Sequence, residues 1–216
     1  MLTLTIDGIE VKAREGEIVL WAALDAGIYI PNLCALRNES LPFGDCRLCF
    51  VEIERRGLVT ACTEPVREGM VVYTKTPQVN RLRRTAAELI IASHKVDCRN
   101  CAKNRHCELQ KIAAYLGIKL RSQRLRKMPK ELPIDSSHPL FTFDPNKCVL
   151  CGKCVRVCAK QGVGAIDFSR RGFDARISTF DNIPLIESNC TSCGECVAVC
   201  PVGALVPKNR GLSCVQ

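Results

Sequence analysis

Long hydrophobic runs are missing from this sequence. No apolar stretch approaches the roughly 20 residues that a membrane span needs, so no transmembrane segment is expected. The opening residues, Met1-Leu-Thr-Leu-Thr-Ile-Asp-Gly8, lack a basic region followed by an apolar one, so no secretory signal is expected either. Aromatic residues are scarce, at 5% of the 216 residues, which argues against one large core and for several small modules. A dinucleotide fingerprint is also lacking. Gly162-Val-Gly164-Ala-Ile-Asp167 has no third glycine and follows a cysteine cluster rather than a predicted strand. Acidic residues fall short of basic ones, 22 against 31, and a net charge of +9 invites a nucleic-acid reading.

What is abundant is cysteine, with 16 in the chain. One pattern occurs twice. The first copy is Cys148-Val-Leu-Cys151-Gly-Lys-Cys154-Val-Arg-Val-Cys158, and the second is Cys190-Thr-Ser-Cys193-Gly-Glu-Cys196-Val-Ala-Val-Cys200, followed by Pro201. Each is C-x2-C-x2-C-x3-C, the run that holds [4Fe–4S] cubes in two-cluster ferredoxins, where the fourth cysteine serves the other cluster. One cube is therefore assigned to Cys148, Cys151, Cys154 and Cys200, and a second to Cys190, Cys193, Cys196 and Cys158. The repeat extends past these cysteines, with Val163-Gly-Ala-Ile166 answering Val202-Gly-Ala-Leu205. Structural zinc also uses C-x2-C pairs, but it wants two well-separated pairs, not four cysteines packed together and then repeated.

Upstream, Leu2 to Ile6 alternates like a strand, Asp7-Gly8 is a two-residue hairpin turn, and Ile9 to Lys12 returns. Helical spacing runs from Ile18 to Ala26 before Gly27. Cys34, Cys46, Cys49 and Cys62 follow at C-x11-C-x2-C-x12-C, framed by strand-like Phe50–Ile53 and Met70–Tyr73. A tight pair with two distant thiols suits a [2Fe–2S] rhomb, although plant-type ferredoxins have four residues in the first gap. Gly44 allows the loop backbone to approach inorganic sulfide. The alternative is four inert buried cysteines.

Thr76-Pro77 opens a helix predicted from about Gln78 to Ser93, with Thr76 as its N-cap. Its apolar stripe is read as Val79, Leu82, Leu89 and Ile90, with Arg81, Arg83 and Arg84 facing elsewhere. Then comes His94-x3-Cys98-x2-Cys101-x5-Cys107, a set able to close a third [4Fe–4S] cube with one imidazole. On spacing alone His94 competes with His106, with water as the fourth ligand, and with a Cys3His zinc site. A second helix is expected from Glu108 to Leu116, ending at Gly117. Lys119 to Lys130 is a basic run, read as a solvated linker or as a docking strip for an acidic partner. Cys214 falls outside every set and reads as a spare thiol near the end.

The basic surplus loses its nucleic-acid meaning once clusters are counted. An oxidised four-thiolate site carries about −2, so four sites, one with a histidine, sum to roughly −7 and leave the loaded protein near +2. Cysteine-rich and without a visible signal, the chain is expected in the reducing cytoplasm.

In this order the motifs resemble the N-terminal iron–sulfur region of NAD-linked iron-only hydrogenases. They also resemble the start of the respiratory NADH dehydrogenase large iron–sulfur subunit and the diaphorase small subunit of NAD-reducing nickel–iron hydrogenases. The most specific pieces are Ile30-Pro-Asn-Leu-Cys34, Gly44-Asp-Cys-Arg-Leu-Cys49, the His94 to Cys107 run, Cys107-Glu-Leu-Gln110 and Arg171-Gly-Phe173. Similarity to the electron-bifurcating hydrogenase alpha subunit rests on Gly162 to Glu187. The resemblance implies that His94 is a cluster ligand.

The expected fold class is α+β. A β-grasp [2Fe–2S] ferredoxin-like domain covers 1–78, a small helical His/Cys3 module 79–120, a basic and proline-bearing linker 121–140, and a two-[4Fe–4S] bacterial ferredoxin-like domain 141–216. The sequence stops at Gln216, with no further hydrogen-activating domain, no terminal C-x2-C pairs for a nickel–iron centre, and no flavin or nicotinamide site. The expected role is therefore an electron relay, a non-catalytic subunit of a soluble NAD(P)-linked hydrogenase. The implied partners are a flavin (FMN)/NAD(H)-binding subunit, a small [2Fe–2S] subunit, catalytic hydrogenase subunits of the nickel–iron kind, and ferredoxin where the complex bifurcates electrons. The competing readings are the same relay in a molybdenum or tungsten formate dehydrogenase, a free polyferredoxin, and a zinc protein binding nucleic acid.

Overall fold

A computed structural model describes residues 1–37, 39, 43–121 and 124–208. Cys214 and two positions of the basic run, Ser122 and Gln123, lie outside the described residues. The chain divides into two compact units, one of residues 1–89 with 112–119, the other of 90–111 and everything from 120 onward. No helix among the described residues is long and apolar enough to cross a membrane.

The first unit is a mixed sheet with a helix on it. Strands β1 (Leu2–Ile6) and β2 (Ile9–Ala13) pair antiparallel. Asp7 and Gly8 between them both have positive φ, 50° and 83°, the type I′ geometry whose twist matches a hairpin. Helix α1 (Val19–Asp25) is followed by β3 (Phe50–Ile53), β4 (Gly57–Thr60) and β5 (Met70–Tyr73). The sheet order is β2-β1-β5-β3-β4, and β1 runs parallel to β5. This arrangement is the β-grasp expected of the first module. Alternation sends Leu4, Ile6, Val11, Val51 and Val72 to one side, where α1 buries Val19, Leu20 and Ala23. Each such aliphatic side chain stabilises the fold by about 1.5–3 kcal/mol.

Strand β4 has no counterpart in the sequence-based expectation. It is an edge strand paired only with β3 and reached through a turn with Arg55 and Gly57 at positive φ. Its partly exposed face gives Leu58-Val-Thr little alternation to read.

Helix α2 (Pro77–Ser93) begins as expected, with Thr76 Oγ1 accepting the Val79 N–H at 3.3 Å. Its buried face differs from the expected stripe. Val79, Arg83, Ala87 and Ile91 are buried at helical spacing, whereas Leu89 is 55% exposed. Arg83 is drawn inward because its guanidinium satisfies two main-chain carbonyls, Phe50 O at 2.8 Å and Thr74 O at 3.0 Å. Helix α3 (Glu108–Tyr115) ends before Gly117, which has a φ of 62°.

The second unit has little regular structure. Strand β6 (Phe141–Phe143) pairs with β9 (Leu205–Pro207), and β7 (Asp167–Ser169) pairs with β8 (Arg176–Ser178). Helices α4 (Lys153–Lys160) and α5 (Glu195–Ala198) begin inside the two cysteine repeats. Residues 129–140, the proline-bearing end of the expected linker, are tied into this unit. Asn146 bonds the Leu132 main chain in both directions, Asp135 bridges Phe143, and His138 is only 1% exposed. The basic run touches the end of α2, where Met128 N–H reaches Ala92 O at 2.9 Å.

Candidate metal centres

Fifteen cysteines fall among the described residues, and none is in a disulfide. In the first unit Cys34, Cys46, Cys49 and Cys62 are all buried. Cys34 lies in the long loop after α1, Cys49 directly precedes β3, and Cys62 follows β4. The Sγ atoms of Cys34 and Cys46 are 3.4 Å apart, and Leu33 N–H points to Cys46 Sγ at 3.4 Å. Left-handed residues Gly44 and Arg47, with φ of 64° and 53°, turn the loop on either side of Cys46. Contact with Cys34 and burial push the Cys46 thiol far above its ordinary value. At Cys62 the Cys34 contact lowers the value, but the Cys49 contact and burial outweigh it and push the thiol up to about 12. Four thiols so crowded do not ionise together in a low-dielectric site unless a positive core sits among them. The donor set fits an iron–sulfur core.

In the second unit a cavity is lined by His94, Cys98, Cys101 and Cys107, with Lys147 and Gly203 beside them. His94 follows the last turn of α2, Cys98 lies in a short 3-10 turn, and Cys107 directly precedes α3. Of the two competing histidines, His94 lines this cavity and His106 is exposed. The His94 Nδ1 is buried without a hydrogen-bond partner. Burial pushes the imidazole down to about 4, so it is neutral and able to donate a lone pair at physiological pH. Gly203 completes the cradle: a Cβ there would stand 2.4 Å from Cys101 Sγ. Sequence reasoning did not single out Gly203, although its place in the Val202-Gly-Ala-Leu205 echo was visible.

The two cysteine repeats have the same backbone. Leu150 and Ser192, at matching positions, have φ of 53° and 61°, and Gly152 and Gly194 have 71° and 77°. These left-handed turns curl each C-x2-C-x2-C loop so that its cysteines face inward. The neighbours of each thiol cross between copies. Burial and the nearby Cys148, Cys151 and Cys200 raise the Cys154 thiol. Burial and the nearby Cys190, Cys193 and Cys158 push Cys196 up to about 12. A second cavity has Cys158, Cys190 and Cys196 in its wall, with Phe141, Ile177 and Leu205 closing it. Main-chain N–H groups point at these sulfurs too, Leu150 to Cys148 at 3.4 Å and Ala165 to Cys158 at 3.2 Å. Such donors stabilise thiolate charge. Among the described residues no three His, Cys, Asp or Glu side chains close on one point as ligands of a single ion do. The His94 set rings a cavity instead, and three cysteines of the Cys190 set share the wall of another.

Three family models match in succession: a 2Fe-2S iron-sulfur cluster binding domain over residues 1–77, the NADH-ubiquinone oxidoreductase-G iron-sulfur binding region over 83–121, and a 4Fe-4S dicluster domain over 147–204. Among curated proteins, the NADPH-Fe(3+) oxidoreductase subunit alpha of Geobacter sulfurreducens is 40% identical over 210 residues, 96% of this chain and 24% of that protein. The NADP-reducing hydrogenase subunit HndD of Solidesulfovibrio fructosivorans is 40% identical over 221 residues, 95% of this chain and 36% of that protein. The chain thus spans about a quarter to a little over a third of the length of these relatives. A chain in the crystal structure of NAD+-reducing [NiFe]-hydrogenase in the H2-reduced state matches with a TM-score of 0.88 and 34% identity, covering 98% of this chain and 89% of that one.

Proposed function

This chain belongs to the iron–sulfur family that includes the matching chain of NAD+-reducing [NiFe]-hydrogenase, and we propose that it is the electron relay of a soluble NAD(P)-linked hydrogenase complex. The observation that carries the reading is a likeness running through both units, with every cysteine set inside the matched length. One [2Fe–2S] cluster is assigned to Cys34, Cys46, Cys49 and Cys62, and one [4Fe–4S] cluster to His94, Cys98, Cys101 and Cys107. Two further [4Fe–4S] clusters are assigned to Cys148, Cys151, Cys154 and Cys200, and to Cys190, Cys193, Cys196 and Cys158.

Bound iron–sulfur clusters supply one-electron transfer. This chain supplies their spacing and surroundings. The four buried cysteines of the first unit keep water from their site, which sets charge stabilisation there by the protein alone. Neutral His94 replaces one anionic thiolate, making its site less negative and easier to reduce. Cys193 is the exposed cysteine of the described set, so the site it serves faces outward, where a partner can exchange electrons. In this reading a [2Fe–2S] domain takes 1–78, a His/Cys3 module 79–120 and a two-cube domain 141–216. The partners in this reading are a flavin (FMN)/NAD(H)-binding subunit, a small [2Fe–2S] subunit and a nickel–iron catalytic subunit, with the assembly in the cytoplasm.

The test is anaerobic purification of this chain from its native host with metal analysis of what accompanies it. Nickel in stoichiometric amount with a flavin subunit is the expected result. Molybdenum or tungsten would move the relay to formate oxidation, and iron in an unaccompanied chain would make it a free polyferredoxin.

A further inference from the structure

His138 sits in the segment expected to be a linker, yet it is 1% exposed and its ring stacks on Phe141 with centroids 4.0 Å apart. Its two nitrogens face different partners. Nδ1 accepts the Leu140 main-chain N–H at 3.2 Å. A main-chain N–H is an obligatory donor, so Nδ1 carries no proton, and the neutral ring must carry its proton on Nε2. Nε2 stands 3.0 Å from Ser192 Oγ and 4.0 Å from Cys190 Sγ. Ser192 holds the left-handed turn of the second cysteine loop. Its counterpart in the first copy is Leu150, whose side chain has no hydrogen-bonding atom, so this contact distinguishes two otherwise matching loops.

We propose that His138 is a positioning residue for the cube of the second repeat: its Nε2–H pins Ser192, directs positive hydrogen toward the Cys190 sulfur, and raises that cube's reduction potential relative to a loop without the donor. A donor near a ligand sulfur stabilises the more negative, reduced state, and hydrogen bonds to sulfur are one of the protein's means of setting cluster potential. The inference rests on Cys190 being a cluster ligand. It gives the two cubes a built-in inequality that their cysteine patterns do not reveal.

The test is a redox titration of the purified, loaded full-length chain, followed by electron paramagnetic resonance. The cube in question is identified as the signal lost in Cys158→Ser, and its absence from the wild type would count against the cluster assignment rather than against His138. His138→Phe keeps an aromatic ring without a donor; His138→Gln puts an amide N–H near the position of Nε2. The expected result is a reduction equilibrium constant for this cube within about threefold of wild type in His138→Gln. In His138→Phe the cube is either lost or weakened threefold to tenfold, tenfold being about 59 mV for one electron. Wild-type potential in His138→Phe would overturn the proposal. So would loss of the cube, or a tenfold shift, in His138→Gln, since either would reduce His138 to packing.

Discussion

Cys158 and Cys200 close their repeats in sequence but sit with the opposite copy in space. Cys158 shares a cavity with Cys190 and Cys196, and Cys200 neighbours Cys154. Cys158→Ser is therefore expected to damage the cube of Cys190, Cys193 and Cys196 and spare that of Cys148, Cys151 and Cys154. Mössbauer or paramagnetic resonance spectra showing loss of the latter cube would contradict the cross-copy assignment. At His94 the sign of the pH effect follows from burial. Its folded-state value of about 4 lies below the unfolded 6.5, so the native state binds fewer protons in that window. The imidazole's stability contribution is fully present above about pH 6.5 and is lost as pH falls through 4. The cysteine sets were legible because ligand spacing is a one-dimensional signal. Arg83 and His138 were not, because each is satisfied by main-chain or side-chain groups far away in sequence: Phe50 and Thr74 for one, Ser192 for the other.

Among the elements, strands and helices with strong periodicity or clear caps were readable, including β1, β3, β5 and α2 with its Thr76 cap. Strand β4 was not, since an edge strand exposes one face and needs no alternation. Nor was the packing of residues 129–140, whose order comes from Asn146 and Asp135 rather than from local pattern. The turn holding Gly203 joins two of the cysteine sets within the second unit: it follows Cys200 in the chain and faces Cys101. Gly203→Ala places a Cβ 2.4 Å from that sulfur, so something must move, at a cost of about 1–3 kcal/mol for overpacking. The expected outcome is loss or weakening of the His94, Cys98, Cys101 and Cys107 cube with the [2Fe–2S] signal intact. A full iron complement with an unchanged spectrum would show that the turn yields freely. Thr76→Ala should cost about 1 kcal/mol through the lost cap, read as a lower midpoint in denaturant.

Across the molecule, the two units hold together by different means. The first has a five-stranded sheet and a continuous apolar core. The second has two short strand pairs and the short helices α4 and α5, of eight and four residues, around its cysteine sets, too little regular structure to expect stability without its metal. Removal of iron should therefore abolish hydrogen-exchange protection in residues 141–208 while β1, β2 and β5 keep theirs. Equal protection in both would show that the second unit folds on packing alone. The charge balance agrees with the proposed clusters: a surplus of +9 would offset four clusters summing to roughly −7 and leave the loaded protein near +2. The most direct measurement is the iron content of the anaerobically purified chain, taken with its low-temperature paramagnetic resonance spectrum. The cluster assignment predicts about 14 iron ions per chain and one [2Fe–2S] with three [4Fe–4S] signals on reduction. Zinc without iron, or about 10 iron ions with the histidine-ligated cube absent, would contradict it.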